Sequence, residues 1–93
     1  MSEEFRHNEA LGEFEIWVDG QKAGYIDYKL TGDVVTFEHT IIGPDFGGRG
    51  LGGRLVRYAV EASQALGWGI VPHCPFARAW LAKHPQYDEL VVG

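Results

Sequence analysis

Apolar and polar residues alternate through the first half of the chain, and this pattern predicts three antiparallel strands. The predicted strands cover residues 13–18, 22–30 and 34–42. An Asp-Gly dipeptide at residues 19–20 is a strong hairpin signal between the first two strands, and a second tight turn at residues 31–33 separates the last two. The strands therefore follow one another as an antiparallel meander.

The beginning of the chain lacks this alternation and is mostly polar. Residues 1–11 are expected to be loosely held, with residues 1–10 flexible and Phe5 as a candidate anchor. The polar, acidic stretch from Met1 to Asn8 is not expected to be a signal peptide.

The second half of the chain changes to a helical pattern. Apolar residues at steps of three and four predict an amphipathic helix over residues 51–66, which Gly67 is expected to end. Residues 69–73 follow as a short apolar strand, so strand, helix and strand have the proportions of a βαβ unit with nearly parallel strands and a right-handed crossover. A short helix is predicted over residues 76–83 and a final edge segment over residues 90–92. The expected fold class is mixed α/β, an antiparallel meander followed by a βαβ unit and a short C-terminal helix.

Length and composition narrow the classes of function. The 93 residues predict one domain spanning residues 1–93. The net charge of −5 argues against binding to nucleic acid or to anionic membranes, and weakly favours a cationic or amine-bearing partner. The single cysteine excludes an internal disulfide, and no apolar run is long enough to cross a bilayer, so a cytoplasmic location is expected. The composition does not specify an oligomeric state, and a monomer is compatible with it.

Residues 46–55 carry the strongest functional signal, because five glycines and two arginines stand at the predicted start of the long helix. Glycine lets backbone N–H groups approach a ligand closely. The start of a helix adds unpaired donors and a partial positive charge. Together these features predict a site for an anion, most often a phosphate or a pyrophosphate.

Two familiar phosphate-binding loops fit this segment poorly. Residues 48–53 satisfy the dinucleotide-binding pattern G-x-G-x-x-G, but the chain is too short for the two halves of that fold. In addition, His73 stands about twenty residues further on, where an acidic residue is expected. A Walker-type loop is excluded because Arg49 and Gly50 follow Gly48 in place of lysine and a hydroxyl residue.

The order of a strand, a glycine-rich loop, an amphipathic helix and a further strand resembles the cofactor half of the GCN5-related N-acetyltransferases. The loop pattern of that superfamily is Gln/Arg-x-x-Gly-x-Gly/Ala, and Gly50 and Gly52 take its two glycine positions. Gly47 stands where glutamine or arginine is usual, and Arg49 is a candidate to replace the missing charge.

Further motifs resemble a subfamily whose members are unusually short. These are the pair His39-Thr40 ahead of the loop, the Pro-x-Cys segment that ends at Cys74 and the His-Pro-x-Tyr element that ends at Tyr87. The resemblance covers the chain from residue 10 onward. It implies a mixed α/β fold, acetyl-CoA (coenzyme A) as the cofactor, and transfer of its acetyl group to an amine of a small molecule or a peptide.

The resemblance also implies which residues hold the cofactor. Backbone N–H groups near Arg49, Gly50, Leu51 and Gly52 are expected to bind the pyrophosphate. Arg49 and Arg54 are expected to add charge-assisted hydrogen bonds, with the 3′-phosphate as one candidate acceptor. The alternative for both arginines is that they are solvated side chains at the start of the helix.

In the superfamily the pantetheine arm lies between two parallel strands that splay apart. Pro72 has no N–H to donate, so strand pairing is expected to fail there. Alternatively, Pro72 and Pro75 only mark the end of a strand. Cys74 would lie at this strand end beside the thioester, as a cofactor-binding residue.

His39 and Cys74 are the candidate catalytic residues. In one mechanism, which superfamily precedent favours, the amine attacks the thioester directly, and Cys74 only lines the pocket or donates a weak hydrogen bond to the leaving thiolate. In the other, a Cys74 thiolate activated by His39 or His73 takes the acetyl group first. His39 is preferred over its neighbour Glu38 as the base because histidine ordinarily titrates near neutral pH, with a structural role as the alternative. Tyr87 is either an acid for the departing thiolate or a packing aromatic.

Other functions remain open at this point. The histidines and the cysteine lack the spacing of structural metal sites, so no metal is expected. The three tryptophans are expected to be core residues or cleft walls. The rival function is a non-catalytic acyl-CoA-binding module or sensor, which the unusual Gly47 and the undecided base leave open. A pure interaction domain would leave the glycine loop unexplained.

Overall fold

Five strands form one sheet in the order β1-β2-β3-β4-β5 in this computed structural model, which describes residues 2–93. The strands are β1 (Glu3–Asn8), β2 (Glu13–Val18), β3 (Gln21–Thr31), β4 (Val34–Ile42) and β5 (Gly69–Pro72). The helices are α1 (Leu51–Ala65) and α2 (Pro75–Ala82), with short 3₁₀ helices at Pro44–Phe46 and Pro85–Leu90. The strands β1 to β4 are antiparallel and β4 is parallel to β5, which confirms the predicted mixed α/β class, the meander and the βαβ unit.

The hairpin between β2 and β3 forms at the predicted Asp-Gly turn. Asp19 and Gly20 have φ angles of 49° and 81°, the geometry of a type I′ turn whose twist matches that of the flanking strands. On the inner face of β2, the alternating side chains of Phe14, Ile16 and Val18 are all buried. The alternation of the sequence therefore corresponds to one buried face of the sheet.

The expectation of a loosely held segment over residues 1–11 is wrong for residues 3–8, which form the edge strand β1 against β2. Phe5 stacks on Tyr58 of α1 with ring centroids 5.0 Å apart, so the predicted anchor is confirmed. The predicted flexible segment also includes Met1, which lies outside the described residues.

A histidine in β1 takes the place of a core aromatic residue. His7 stacks on Phe14 with centroids 4.4 Å apart, and its Nε2 lies 2.7 Å from the hydroxyl of Tyr28. Trp68 meets the same imidazole ring edge-on at 5.8 Å. Burial in this cluster lowers the pKa of His7 below its ordinary value of 6.5, because the charged ring would lose hydration. The polar composition of β1 therefore conceals an inward aromatic face.

The core lies between the sheet and α1. The buried residues of this helix are Leu51, Leu55, Val56, Ala59, Val60 and Ser63. Ser63 is the polar member of this row, and its hydroxyl donates to the carbonyl of Ala59 at 2.7 Å. The helix ends at Ala65, and Gly67 follows with a φ angle of 76°, which agrees with the predicted glycine stop.

The last part of the chain covers the free edge of β5. After α2 and the second 3₁₀ helix, the predicted final edge segment is reduced to one parallel bridge between Val91 and Ile70, beside which the N–H of Val92 donates to the carbonyl of Ile70 at 2.9 Å. None of the helices formed by residues 2–93 is long and apolar enough to cross a bilayer.

Candidate active site

The parallel strands β4 and β5 separate before β4 ends. Their last register pair is Phe37 with Pro72, and the N–H of Cys74 then donates to the carbonyl of Phe37 at 2.9 Å. Pro72 has no N–H with which to extend the ladder, as the sequence predicted. Beyond this point β4 continues to Ile42 without a partner strand on its β5 side in the described part of the chain. Strand pairing between β4 and β5 thus ends ahead of α2, and we call this break in pairing, along residues 38–42 of β4, the gap.

The loop ahead of α1 presents backbone donors. Gly48 and Gly50 have φ angles of 76° and 71°, a left-handed conformation that favours glycine. Gly50 is the N-cap of α1, and no side chain among residues 2–93 caps this helix. The N–H groups of residues 51–53 consequently have no intrahelical acceptor and point out of the helix. This is the anion-binding geometry that the sequence predicted, and the binding of a pyrophosphate by these groups stays a prediction.

A second reason for glycine in the first turn of α1 comes from packing against α2. A Cβ atom at Gly52 would lie 2.8 Å from Cζ of Phe76, so the ring occupies the space that a side chain would take. Phe76 nevertheless remains 48% exposed beside the loop. The second glycine of the loop pattern therefore also allows α1 and α2 to approach each other.

The two arginines of the loop have different surroundings. Arg54 makes a two-point ion pair with Glu3 of β1, with nitrogen–oxygen distances of 2.9 and 2.7 Å, and it also donates to the carbonyl of Arg49 at 3.1 Å. The guanidinium of Arg49 lies 5.4 Å from the centroid of the Phe46 ring. A phosphate that binds Arg54 would therefore compete with the carboxylate of Glu3. Glu3 carries no sequence signal that connects it with the loop.

Cys74 lies at the gap as the N-cap of α2, and it is only 4% exposed. Its Sγ lies 3.2 Å from Oγ1 of Thr40 on β4. Among residues 2–93, no histidine lies within hydrogen-bonding distance of this thiol. Within the described part of the chain, the structure therefore shows no contact through which His39 or His73 would activate Cys74, and this activation stays a prediction. His73 is exposed, whereas its neighbour Cys74 is buried, so the two side chains point in different directions.

His39 lies at a bulge in β4 and has a carboxylate partner. The register passes from Phe37 opposite Tyr28 to His39 opposite Asp27, so Glu38 is the extra residue. One carboxylate oxygen of Asp27 accepts the backbone N–H of His39 at 2.7 Å, and the other lies 3.1 Å from the ring Nδ1. Asp27 could not be assigned to His39 from the sequence, because a regular register counted from the turn would place it opposite Glu38.

The two predicted catalytic residues lie on opposite faces of the sheet. Thr40, which contacts Cys74, is opposite Ile26, and Ile26 is opposite the core residue Phe14, so this is the face that α1 covers. Since neighbouring residues on a strand alternate in direction, His39 and Asp27 lie on the other face, which we call the open face. The structure therefore brings His39 and Cys74 to the same end of β4 but not into contact.

The neighbourhood of Tyr87 supports a packing role. Its hydroxyl donates to Glu61 of α1 at 2.8 Å and lies 3.4 Å from a guanidinium nitrogen of Arg57. The hydrogen bond to Glu61 is the main reason that the pKa of Tyr87 is raised, since ionisation would place two negative charges together. Glu61 lies nine residues after Gly52 along α1, about 13 Å by helical rise. Tyr87 is thus remote from the helix start where the diphosphate is expected, and its role as an acid for the departing thiolate stays a prediction.

Other ring-bearing residues of the C-terminal part are also engaged. The ring of His84 stacks on Trp80 with centroids 3.7 Å apart, and its Nδ1 lies 2.7 Å from the carbonyl oxygen of Trp80. Trp68 belongs to the aromatic cluster of the core, whereas Trp17 lies on the open face beneath the guanidinium of Arg6 at 4.0 Å. No group of three potential metal ligands is found within residues 2–93.

Comparison with known proteins agrees with this arrangement. The family model of the GCN5-related N-acetyltransferases matches residues 13–90. A GCN5-like protein from Staphylococcus aureus, solved by NMR in solution, is similar over 97% of this chain and 88% of its own, with a TM-score of 0.72 and 25% identity. A crystal structure of ribosomal-protein-alanine N-acetyltransferase from Brucella melitensis biovar Abortus 2308 has the same fold at 16% identity, with a TM-score of 0.59 over 87% of this chain and 63% of that chain. No curated protein sequence matches. The chain belongs to the GCN5-related N-acetyltransferase family.

Proposed function

We propose that this protein transfers the acetyl group of acetyl-CoA to an amine by direct attack, without an acetylated cysteine. When bound, the cofactor supplies the acetyl group as an activated thioester. The observation that carries the proposal is the position of the uncapped start of α1 beside the gap between β4 and α2. This arrangement suits a ligand with a diphosphate at one end and an extended arm along the unpaired part of β4.

The cofactor contacts follow from the loop. Gly50, Leu51 and Gly52 would offer backbone N–H groups to the pyrophosphate, and Arg49 and Arg54 would add positive charge. Leu51 itself is buried, so only its backbone is available to a ligand. The Gly50 conformation and the helix dipole together favour an anion at this position.

Direct attack is supported by the surroundings of Cys74. The thiol is buried against Thr40 and has no basic partner among residues 2–93, whereas a cysteine that acts as a nucleophile needs an activated thiolate. Cys74 therefore lines the cofactor pocket in this proposal. The base is His39 on the open face, where its side chain is 69% exposed and within reach of an amine.

Release of thiol from acetyl-CoA tests the proposal, with spermidine and the amide of Nα-acetyl-lysine as probe amines. Release above the uncatalysed rate supports acetyl transfer. Binding of CoA by titration calorimetry without such release would instead indicate the acyl-CoA-binding module. Cys74→Ala is expected to retain CoA affinity and turnover, and an acetyl adduct on rapidly quenched wild-type protein, seen by intact mass, would contradict direct attack.

Two glycine substitutions provide a matched control for the cofactor site. Gly50 and Gly32 both have positive φ angles, and a Cβ atom would meet nothing closer than 3.5 Å at the first and nothing within 4 Å at the second. Gly50→Ala and Gly32→Ala should therefore each lose about 1–2 kcal/mol of stability from left-handed strain. Only Gly50→Ala is expected to weaken CoA binding, and equal CoA affinity in the two variants would refute the site.

A further inference from the structure

We propose that Asp27 is a positioning residue that holds His39 in the tautomer with a proton on Nδ1, so that Nε2 faces outward to take the proton of the acceptor amine. This inference rests on the proposed function and adds to it a residue that the family resemblance did not supply. It also specifies the face from which the amine arrives.

The bulge in β4 creates the contact. From Thr31 opposite Val34 to Tyr28 opposite Phe37, the register of β3 and β4 is regular, and its continuation would pair Asp27 with Glu38. Like charges directly opposite on two strands repel. The extra residue shifts the register by one, so that the carboxylate of Asp27 instead meets the histidine.

The carboxylate contacts His39 at two points. Its Oδ1 accepts the backbone N–H at 2.7 Å, and its Oδ2 lies 3.1 Å from Nδ1 of the ring. An ionised carboxylate can only accept hydrogen bonds, so Nδ1 must carry the proton in this contact. In the neutral ring, Nε2 is then the acceptor, and it makes no hydrogen bond with any residue from 2 to 93.

The position of the pair defines the approach of the amine. Asp27 and His39 lie on the open face, with side chains that are 38% and 69% exposed, at the end of β4 where the gap begins. Cys74 and Thr40 border the gap from the face that α1 covers. An amine that gives its proton to His39 must therefore enter from the open face, opposite to the helix that is proposed to hold the diphosphate.

The protons and bonds balance in this scheme. An ammonium group gives one proton to Nε2 of His39, and the Asp27 carboxylate stabilises the resulting imidazolium. The amine nitrogen forms a bond to the acetyl carbon, the bond from that carbon to sulfur breaks, and a second proton from the nitrogen accounts for the thiol product. His39 returns its proton to water.

The variants Asp27→Asn and Asp33→Asn test the inference. Asn at residue 27 can still accept the backbone N–H of His39, but its NH₂ group would face Nδ1 and favour the opposite tautomer. We expect thiol release with spermidine to fall by about a hundredfold or more in kcat, with CoA affinity within twofold of wild type. In long-range proton–nitrogen NMR spectra, the His39 proton should move from Nδ1 to Nε2. Asp33 lies in the exposed turn between β3 and β4. Asp33→Asn should change neither the rate of thiol release nor the position of the His39 proton.

The outcomes separate this inference from the proposed function. If the wild type releases no thiol with either probe amine, the proposed function fails, and the proton-acceptor role fails with it. If the wild type is active but Asp27→Asn is equally active, or if the wild-type ring carries its proton on Nε2, only the inference is overturned. The inference is supported if Asp27→Asn shows both the lower rate and the tautomer change, and if Asp27→Glu retains the wild-type rate.

Discussion

The substitution Gly52→Ala separates two reasons for a glycine in the first turn of α1. A Cβ atom at residue 52 would lie 2.8 Å from Cζ of Phe76 and 3.2 Å from Cε1, closer than carbon atoms pack. The next residue, Gly53, would place a Cβ atom no closer than 3.8 Å to Trp80, which is ordinary contact. Because the two residues are adjacent in one helix, Gly53→Ala is a matched control.

The magnitudes follow from this geometry. Replacing glycine by alanine within a helix stabilises it by up to about 1 kcal/mol, so Gly53→Ala should raise the free energy of unfolding by that order. For Gly52→Ala, the ring of Phe76 must leave its rotamer, which costs about 0.5–1.5 kcal/mol and offsets the gain. We therefore expect Gly53→Ala to be more stable than Gly52→Ala by about 1 kcal/mol.

Urea denaturation of the two variants, alone and combined with Phe76→Ala, measures this difference. Removal of the ring should make the two glycine substitutions equivalent. If Gly52→Ala stabilises the protein with Phe76 in place as much as Gly53→Ala does, the packing explanation is refuted. CoA titrations in the Phe76→Ala background then test the ligand: weaker binding after Gly52→Ala would show that the cofactor also needs the close approach of this backbone.

Three further changes test other parts of the structure. Glu3→Gln removes the carboxylate that competes for Arg54. Calorimetry should show that CoA binds a few-fold more tightly, and the free energy of unfolding should change by less than about 1 kcal/mol. An unchanged CoA affinity would exclude Arg54 as a phosphate contact. Because burial lowers the pKa of His7, the unfolded chain binds a proton on this histidine more readily than the folded protein does. The free energy of unfolding, measured by urea denaturation, should therefore decrease as the pH is lowered from about 8 to about 5. His7→Phe should make this pH dependence weaker. Tyr87→Phe removes only the hydrogen bond to Glu61, so stability should fall by about 1 kcal/mol, and a tenfold loss of thiol release would contradict its packing role.

The elements that could be predicted are those whose signal is local. The alternation in β2 and the three- and four-residue steps in α1 report burial on one face, and both elements form within a residue of the predicted bounds. The edge strand β1 was missed because one of its inward rings is His7, which a polarity pattern counts as polar. Its burial depends on Phe14 and Trp68, which are distant in sequence.

The candidate site divides in the same way. The glycine loop could be predicted because consecutive residues supply the donors, so the sequence alone is sufficient to predict an anion-binding site at the start of α1. Neither Asp27 nor Glu3 could be assigned in this way. Asp27 reaches His39 only because a bulge shifts the register, and Glu3 reaches Arg54 across 51 positions of the chain.

The amino-acid sequence by itself therefore determined the strands, the long helix, the donors that precede it and the family, because periodicity and short motifs act between near neighbours. Only the tertiary structure decided which side chains meet: it separated His39 from Cys74 across the sheet and gave the histidine a carboxylate partner. The physical reason is that side-chain direction in a sheet alternates with every residue, so a single inserted residue exchanges the partners across a strand pair.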